Sequence, residues 1–281
     1  MKIVTRFAPS PTGYLHVGHA YSASLAWRLA QESDGYFLLR MEDIDQTRCR
    51  PEFEAALLED LAWLGLTWEQ PVRRQSEHLD DYAVLVDRLF ERDLIYPCFC
   101  TRKEIAAEIA QSQSAPHGPD GPVYPGTCKH LSRTEQEDLF ATDKPYALRL
   151  HMDRALQAVA LDSLTFREQE KGWIQCDPAR FGDVVLARKE TPASYHLAVT
   201  FDDAIQGVNL VVRGQDLFEA THIHRLLQAL LDLPTPEYRH HGLVTDMKGK
   251  RLAKRNNDAM LKTLREQGYT PEEVRKLVGF G

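Results

Sequence analysis

The chain has 281 residues, with 34 Lys and Arg against 41 Asp and Glu, a formal net charge of −7 and 27% charged residues. That length and polarity suit one large or two smaller globular domains, and the acidic balance disfavours a nonspecific DNA binder. No run approaches 18 apolar residues and the start MKIVTRFAPSP lacks a secretory signal, so a membrane span is not expected and a cytoplasmic protein is.

From the N-terminus, Ile3-Val4-Thr5-Arg6-Phe7 predicts a short strand. Pro9, Pro11 and Gly13 predict a turn ahead of a helix that starts near Gly18 and carries Ala20, Leu25, Ala26 and Leu29. Strand, glycine-bearing turn and helix in that order open a nucleotide-binding α/β unit, in which the N–H groups of the helix start face phosphate. Tyr36–Met41 predicts a second strand that ends at Glu42, Asp43 and Asp45, and residues 52–64 and 77–93 have helical apolar spacing. A short helix after Cys100 runs into SQSAPHGPDGPVYPG, too rich in Pro and Gly to continue it, which marks an insertion. Strands follow at Ala147–Leu150 and Val184–Leu186 in an inserted lobe. Tyr195–Val199 and Asn209–Arg213 are expected as buried parallel strands, with a helix over 217–231. The expected organisation is a first nucleotide-binding half at 1–97, an inserted lobe at 98–190, a second half at 191–237 and a C-terminal segment at 238–281.

Charge is unevenly spread along these segments. Residues 1–97 and 98–237 are each at −6, whereas residues 238–281 hold 10 basic against 5 acidic groups, clustered around Lys248, Lys250, Arg251, Lys254 and Arg255. Such a cluster attracts phosphate or a polyanion, or is a solvated basic face. The pair His16 and His19 sits at the predicted strand-to-helix transition, where imidazole donors and helix N–H groups can stabilise charge growing on phosphate oxygens; helix capping is the structural alternative. The cysteines stand at 49, 98, 100, 128 and 176. An odd, uneven set fits a reducing compartment, and Cys98-x-Cys100 with Cys128 supplies three soft ligands for zinc or three reduced structural thiols. A closed site needs a fourth ligand, for which Tyr124, His117 and His130 are candidates.

RFAPSPTGYLHVGH at Arg6–His19, RMEDID at Arg40–Asp45, VVRGQDL at Val211–Leu217 and RLAKR at Arg251–Arg255 together resemble the glutamate branch of the class I aminoacyl-tRNA synthetases, over nearly the whole chain. The resemblance implies an α/β fold: a Rossmann-like parallel-sheet catalytic domain with a zinc-bearing insertion and a short C-terminal helical remnant. It is strongest to the short members of that branch that lack a separate anticodon-binding region, and the 26 residues after Arg255 are expected to form a helix or two rather than such a domain. It therefore implies ATP-dependent activation of L-glutamate and transfer to queuosine at the wobble position of tRNA(Asp). Transfer to the 3′ end of tRNA, as in the longer glutamyl-tRNA synthetases, is the alternative, and a noncatalytic RNA-binding module descended from them is a second.

By the same resemblance His16 and His19 match the first signature of the family and Lys254 the second lysine of its ATP loop, as catalytic groups. Gly18 and Arg251 join them in binding ATP, with Mg²⁺ carried by the nucleotide. Arg251 stands where lysine is usual and Ala253 where serine is, changes that keep the charge but remove one hydroxyl donor. Glutamate contacts are implied for Arg6, Ala8, Ser10, Glu42, Tyr195 and Arg213. Physically, the two arginines offer forks to carboxylates and Glu42 can oppose the ammonium. Cys98, Cys100, Tyr124 and Cys128 match the zinc ligands of the family, one structural ion per chain, and a monomer is the simplest expectation.

Overall fold

The computed structural model describes residues 2–111, 117–119, 121–242 and 260–280. In chain order its elements are β1 (Val4–Phe7), α1 (Val17–Glu32), β2 (Tyr36–Met41), α2 (Pro51–Trp63), β3 (Glu69–Arg74), α3 (Leu79–Glu91), β4 (Ile95–Cys98) and α4 (Arg102–Gln111). Then come β5 (His117–Gly118), β6 (Gly121–Pro122), α5 (Arg133–Ala141), β7 (Ala147–Leu150), α6 (Met152–Gln157), β8 (Thr165–Glu168), β9 (Gly172–Gln175) and β10 (Val185–Arg188). The last are α7 (Tyr195–Ile205), β11 (Leu210–Gly214), α8 (Ala220–Leu230), β12 (Glu237–His241), α9 (Leu261–Glu266) and α10 (Pro271–Leu277). Among the described residues no helix is long and apolar enough to cross a membrane.

β1, β2 and β3 pair in parallel in that order, with Val4 opposite Tyr36 and Phe7 opposite Leu39. β11 pairs in parallel with β12, β12 with β8, and β9 closes that sheet antiparallel to β8. The two sheets meet where β11 lies beside β1: Asn209 N–H donates to Val4 O at 3.1 Å and Asn209 Oδ1 accepts Val4 N–H at 2.8 Å. β1 and β11 are thus neighbours although some 200 residues apart, each leading to a helix, α1 or α8, and the C-terminal edge of such a junction is where open α/β sheets bind ligands. β4, β7 and β10 form a separate antiparallel sheet.

Local chemistry explains the helix starts. Pro51 opens α2 with Glu52 and Glu54 in its first turn, and Ser132–Glu135 and Thr270–Glu273 close capping boxes on α5 and α10. One core gathers α1, α2, β1, β2 and the C-terminal helices around Leu25, Leu39, Leu61 and Leu261; another joins α3, α7 and α8 to the antiparallel sheet around Tyr82, Leu150, Leu197 and Leu226.

Tyr195–Val199 is a correction: it is the first half of helix α7, not a strand. Ser194 caps the helix, and Leu197, Ala198, Val199, Thr200, Asp202 and Asp203 are buried along it. A five-residue apolar run does not distinguish strand from buried helix, and here the run continues into a helix whose acidic pair turns inward. The β8–β9 hairpin, which the sequence places with the inserted lobe, pairs with β12 in the main sheet.

Candidate active site

His16 is the N-cap of α1. Its Nδ1 accepts the Gly18 N–H at 3.1 Å, while His19 Nδ1 accepts the His16 N–H at 3.2 Å, so the two rings cap the helix reciprocally and stack with centroids 3.8 Å apart. A Cβ at Gly18 would come within 2.9 Å of the His16 ring, so the close return of that ring requires glycine. With both Nδ1 atoms accepting, the neutral rings carry their protons on Nε2.

Arg6, the penultimate residue of β1, is 5% exposed. Its Nε and Nη2 donate to the two oxygens of Asp203 at 2.9 and 3.3 Å, and its Nη1 donates to Val212 O at 3.3 Å. Arg40 on β2, fully buried, donates to Asp203 at 2.8 Å, Gln206 at 2.9 Å and Glu42 at 3.2 Å. Asp203 thereby holds two arginines, which keep its carboxyl below the usual range against the opposing effect of burial. Burial pushes Glu42 up, opposed by Arg40 and Arg6. Asp202 turns the other way on the same helix, accepting from Arg73 at 2.9 Å, Gln75 at 2.8 Å and Tyr82 at 2.9 Å.

Arg213 on β11 has different company. Its Nε donates to His240 Nε2 at 3.0 Å, Nη1 to Tyr195 Oη at 3.3 Å and His224 Nδ1 at 3.2 Å, and Nη2 to Thr221 Oγ1 at 2.7 Å. Every one of these partners is neutral. Burial and the guanidinium charge hold His224 well below an ordinary imidazole and His240 down to about 2. His224 passes its remaining N–H to His196 Nδ1 at 3.1 Å, and His196 is pushed down to about 4 by burial and Arg213. Among the described residues Arg213 makes no ion pair, so a 5% exposed positive charge is left for an anionic ligand, with one N–H unassigned.

A cavity of about 700 Å³ joins these parts, lined among others by Arg6, Ala8, Ser10, His16, Gly18, His19, Glu42, Tyr195 and Arg213. The sequence-predicted glutamate contacts and the histidine pair therefore converge on one space. Arg251 and Lys254 lie outside the described residues. A second cavity of about 580 Å³ shares Ser10, Glu42, Arg48 and Tyr195 with the first and extends to Tyr124, Arg149 and His196 beside the inserted lobe.

Sequence reasoning missed Asp203, Thr221, His224, His240 and Glu168. Asp203 lies four residues beyond the segment read as strand, on the helix that reading missed, and the β12 sequence EYRHH has no apolar alternation to mark a buried strand. The histidine pattern His222-Ile223-His224, with both histidines buried in α8, was the one available signal.

In the inserted lobe the Sγ atoms of Cys98, Cys100 and Cys128 lie within 4.8 Å of one another, a group able to hold a metal. Tyr124 Oη is 3.3 Å from Cys98 Sγ and 3.5 Å from Cys100 Sγ, and Cys100 and Cys128 are 3.4 Å apart. A tetrahedral zinc with three sulfurs and one oxygen separates its ligand atoms by about 3.5–3.8 Å, so these residues fit around one ion. The N–H groups of Phe99 and Cys128 donate to Cys128 Sγ and Tyr124 Oη at 3.4 and 2.9 Å. His130 is not part of the cluster, and the side chain of His117 lies outside the described residues.

The family described as tRNA synthetases class I (E and Q), catalytic domain, matches residues 2–280. The glutamyl-Q tRNA(Asp) synthetase of Rhodobacter capsulatus is 49% identical over 99% of this chain and 100% of its own. The glutamate–tRNA ligase of Aquifex aeolicus is 37% identical over 97% of this chain but 56% of its own length. Among solved structures, a glutamate tRNA ligase from Elizabethkingia meningosepticum in complex with its amino acid superposes with a TM-score of 0.83 at 27% identity; this chain spans 61% of that one.

Proposed function

The chain belongs to the class I tRNA synthetases, E and Q catalytic domain, and from this premise we propose that it activates L-glutamate with ATP and transfers the glutamyl group to queuosine of tRNA(Asp). The observation that carries the proposal is full-length likeness, at 49% identity, to a glutamyl-Q tRNA(Asp) synthetase. The cavity supports it, because a buried cation with neutral partners, Arg213, faces the same space as the phosphate-suited helix start at His16.

In this reading Arg213 and Arg6 receive the carboxylates of the amino acid and Glu42 opposes its ammonium, with Ala8, Ser10 and Tyr195 as pocket walls. Glutamate brings net −1 into a pocket whose Arg213 charge is unpaired, whereas glutamine brings no net charge. The α-carboxylate oxygen attacks the α-phosphorus of ATP and pyrophosphate leaves. His16, His19 and Lys254 stabilise charge on the phosphate oxygens, and Arg251 and Gly18 complete the nucleotide contacts. Mg²⁺ bound to ATP supplies further neutralisation of the phosphates. A hydroxyl of the modified nucleoside, entering through the second cavity, then attacks the adenylate carbonyl and expels AMP. Zinc held by Cys98, Cys100, Tyr124 and Cys128 would fix the inserted lobe that borders this cavity.

The test is glutamylation of tRNA(Asp) with and without queuosine, followed by nuclease mapping of labelled product. Label on the modified wobble nucleoside, absent from tRNA lacking queuosine, is expected. Label on the 3′-terminal adenosine, or equal reaction of both tRNAs, overturns the proposal in favour of a glutamate–tRNA ligase.

A further inference from the structure

We propose that Glu168 is a positioning residue for the amino-acid substrate: through His240 it sets the hydrogen-bonding direction that holds the Arg213 fork toward the cavity. The three residues lie on the adjacent strands β8, β12 and β11, with Arg213 and His240 directly opposite each other in the parallel register. Glu168 is 1% exposed. Its two oxygens accept the backbone N–H of His240 at 3.0 Å and the ring Nδ1–H at 2.6 Å. A neutral imidazole has one N–H and one lone pair, so a carboxylate at Nδ1 puts the lone pair on Nε2, where it accepts Arg213 Nε–H at 3.0 Å. In the other tautomer two N–H groups would face each other at that distance, and the guanidinium would have to rotate.

A purely structural tie between β8 and β12 is already supplied by the strand pairing and by Gln169 N–H on Tyr238 O at 2.8 Å. Burying a carboxylate for that purpose is costly, and a strand tie needs no particular tautomer. One imidazole also keeps the carboxylate out of direct contact with Arg213. Glu168 therefore orients the guanidinium without neutralising it at ion-pair distance, unlike Asp203 against Arg6.

This inference rests on the reading that Arg213 receives a substrate carboxylate, and the experiment separates the two. In Glu168→Gln the amide cannot accept both His240 N–H groups. In ATP–pyrophosphate exchange the KM for glutamate should rise about tenfold, the loss of one oriented hydrogen bond to a charged group, while kcat and the KM for ATP stay within about twofold. Arg213→Lys is measured beside it. A raised glutamate KM in Arg213→Lys with none in a folded Glu168→Gln overturns the positioning role, as does an equal rise for ATP and glutamate. No change in Arg213→Lys instead removes the carboxylate reading of Arg213 itself. Should Glu168→Gln fail to fold, ¹⁵N NMR of the imidazoles in the parent protein decides: a protonated Nδ1 on His240 is expected, and a protonated Nε2 overturns the proposal.

Discussion

Replacing Asp203 by Asn tests the charge layer beneath the site. In the parent, Asp203 Oδ1 accepts from Arg6 Nε at 2.9 Å and Arg40 Nη1 at 2.8 Å, and Oδ2 accepts from Arg6 Nη2 at 3.3 Å. Asparagine can keep the first two contacts on its carbonyl, but its NH₂ then faces the Arg6 Nη2 donor. Arg40 retains Glu42 at 3.2 Å and Asp202 at 3.7 Å, whereas Arg6 has no other ion-pair partner among the described residues. Removing one member of a buried pair costs ~3–5 kcal/mol, and because Arg40 stays compensated the loss belongs near ~3 kcal/mol. Urea denaturation should show it as a lower midpoint at unchanged slope. Arg6, released from its clamp, should also bind glutamate less tightly in pyrophosphate exchange. A stability loss below ~1 kcal/mol with unaltered glutamate KM would refute the assignment of Asp203 as the counter-charge of Arg6.

Other consequences are testable in the same preparations. Lys254→Ala should lower ATP–pyrophosphate exchange by about a hundredfold while circular dichroism stays unchanged, as for loss of a transition-state charge contact; unchanged exchange would remove Lys254 from the mechanism. Elemental analysis should find about one zinc per chain, lost in Cys100→Ser with faster proteolysis of the inserted lobe, and a fully active zinc-free protein would sink the structural role. His224 and His240 are held neutral with folded pKa values below the unfolded value of about 6.5, so the unfolded chain takes up protons first. The contribution of His240 is complete above about pH 6.5 and falls by ~1.4 kcal/mol per unit as pH drops, about 2 kcal/mol at pH 5, and that of His224 falls in the same direction. A denaturation midpoint that stays flat between pH 7 and 5 would contradict neutral histidines around Arg213.

What the sequence revealed and what it concealed divide along chemical lines. Arg6, His16, His19 and Glu42 were legible because each sits at the end of a strand or the start of a helix that apolar pattern and glycine or proline punctuation predict. The cysteine cluster was legible from spacing, although only the structure places Tyr124 Oη beside two of the sulfurs. Asp203 and Glu168 were not, because an acidic residue in sequence reads as solvent-facing until its partner is known. Those partners are 197 residues away for Arg6 and 72 for His240. The misread of Tyr195–Val199 shares this origin. What makes the segment a helix is Ser194 at its start and a buried acidic pair near its end, and the pair is intelligible only with the arginines of β1, β2 and β3 in view.

That acidic pair has a consequence for the order in which the chain can assemble. Arg6, Arg40 and Arg73, one from each of the first three strands, end on Asp202 or Asp203 within one turn of α7. While the ribosome has produced only the first 190 residues, Arg6 in that sheet would have no carboxylate partner among the described residues, and Arg40 and Arg73 would keep only Glu42 and Asp81, an arrangement costing several kcal/mol. The N-terminal half is therefore expected not to finish folding first, as vectorial synthesis would otherwise favour. Closure of its sheet is expected to wait on the emergence of α7, through contacts that span 129 to 197 residues of sequence and so slow that step.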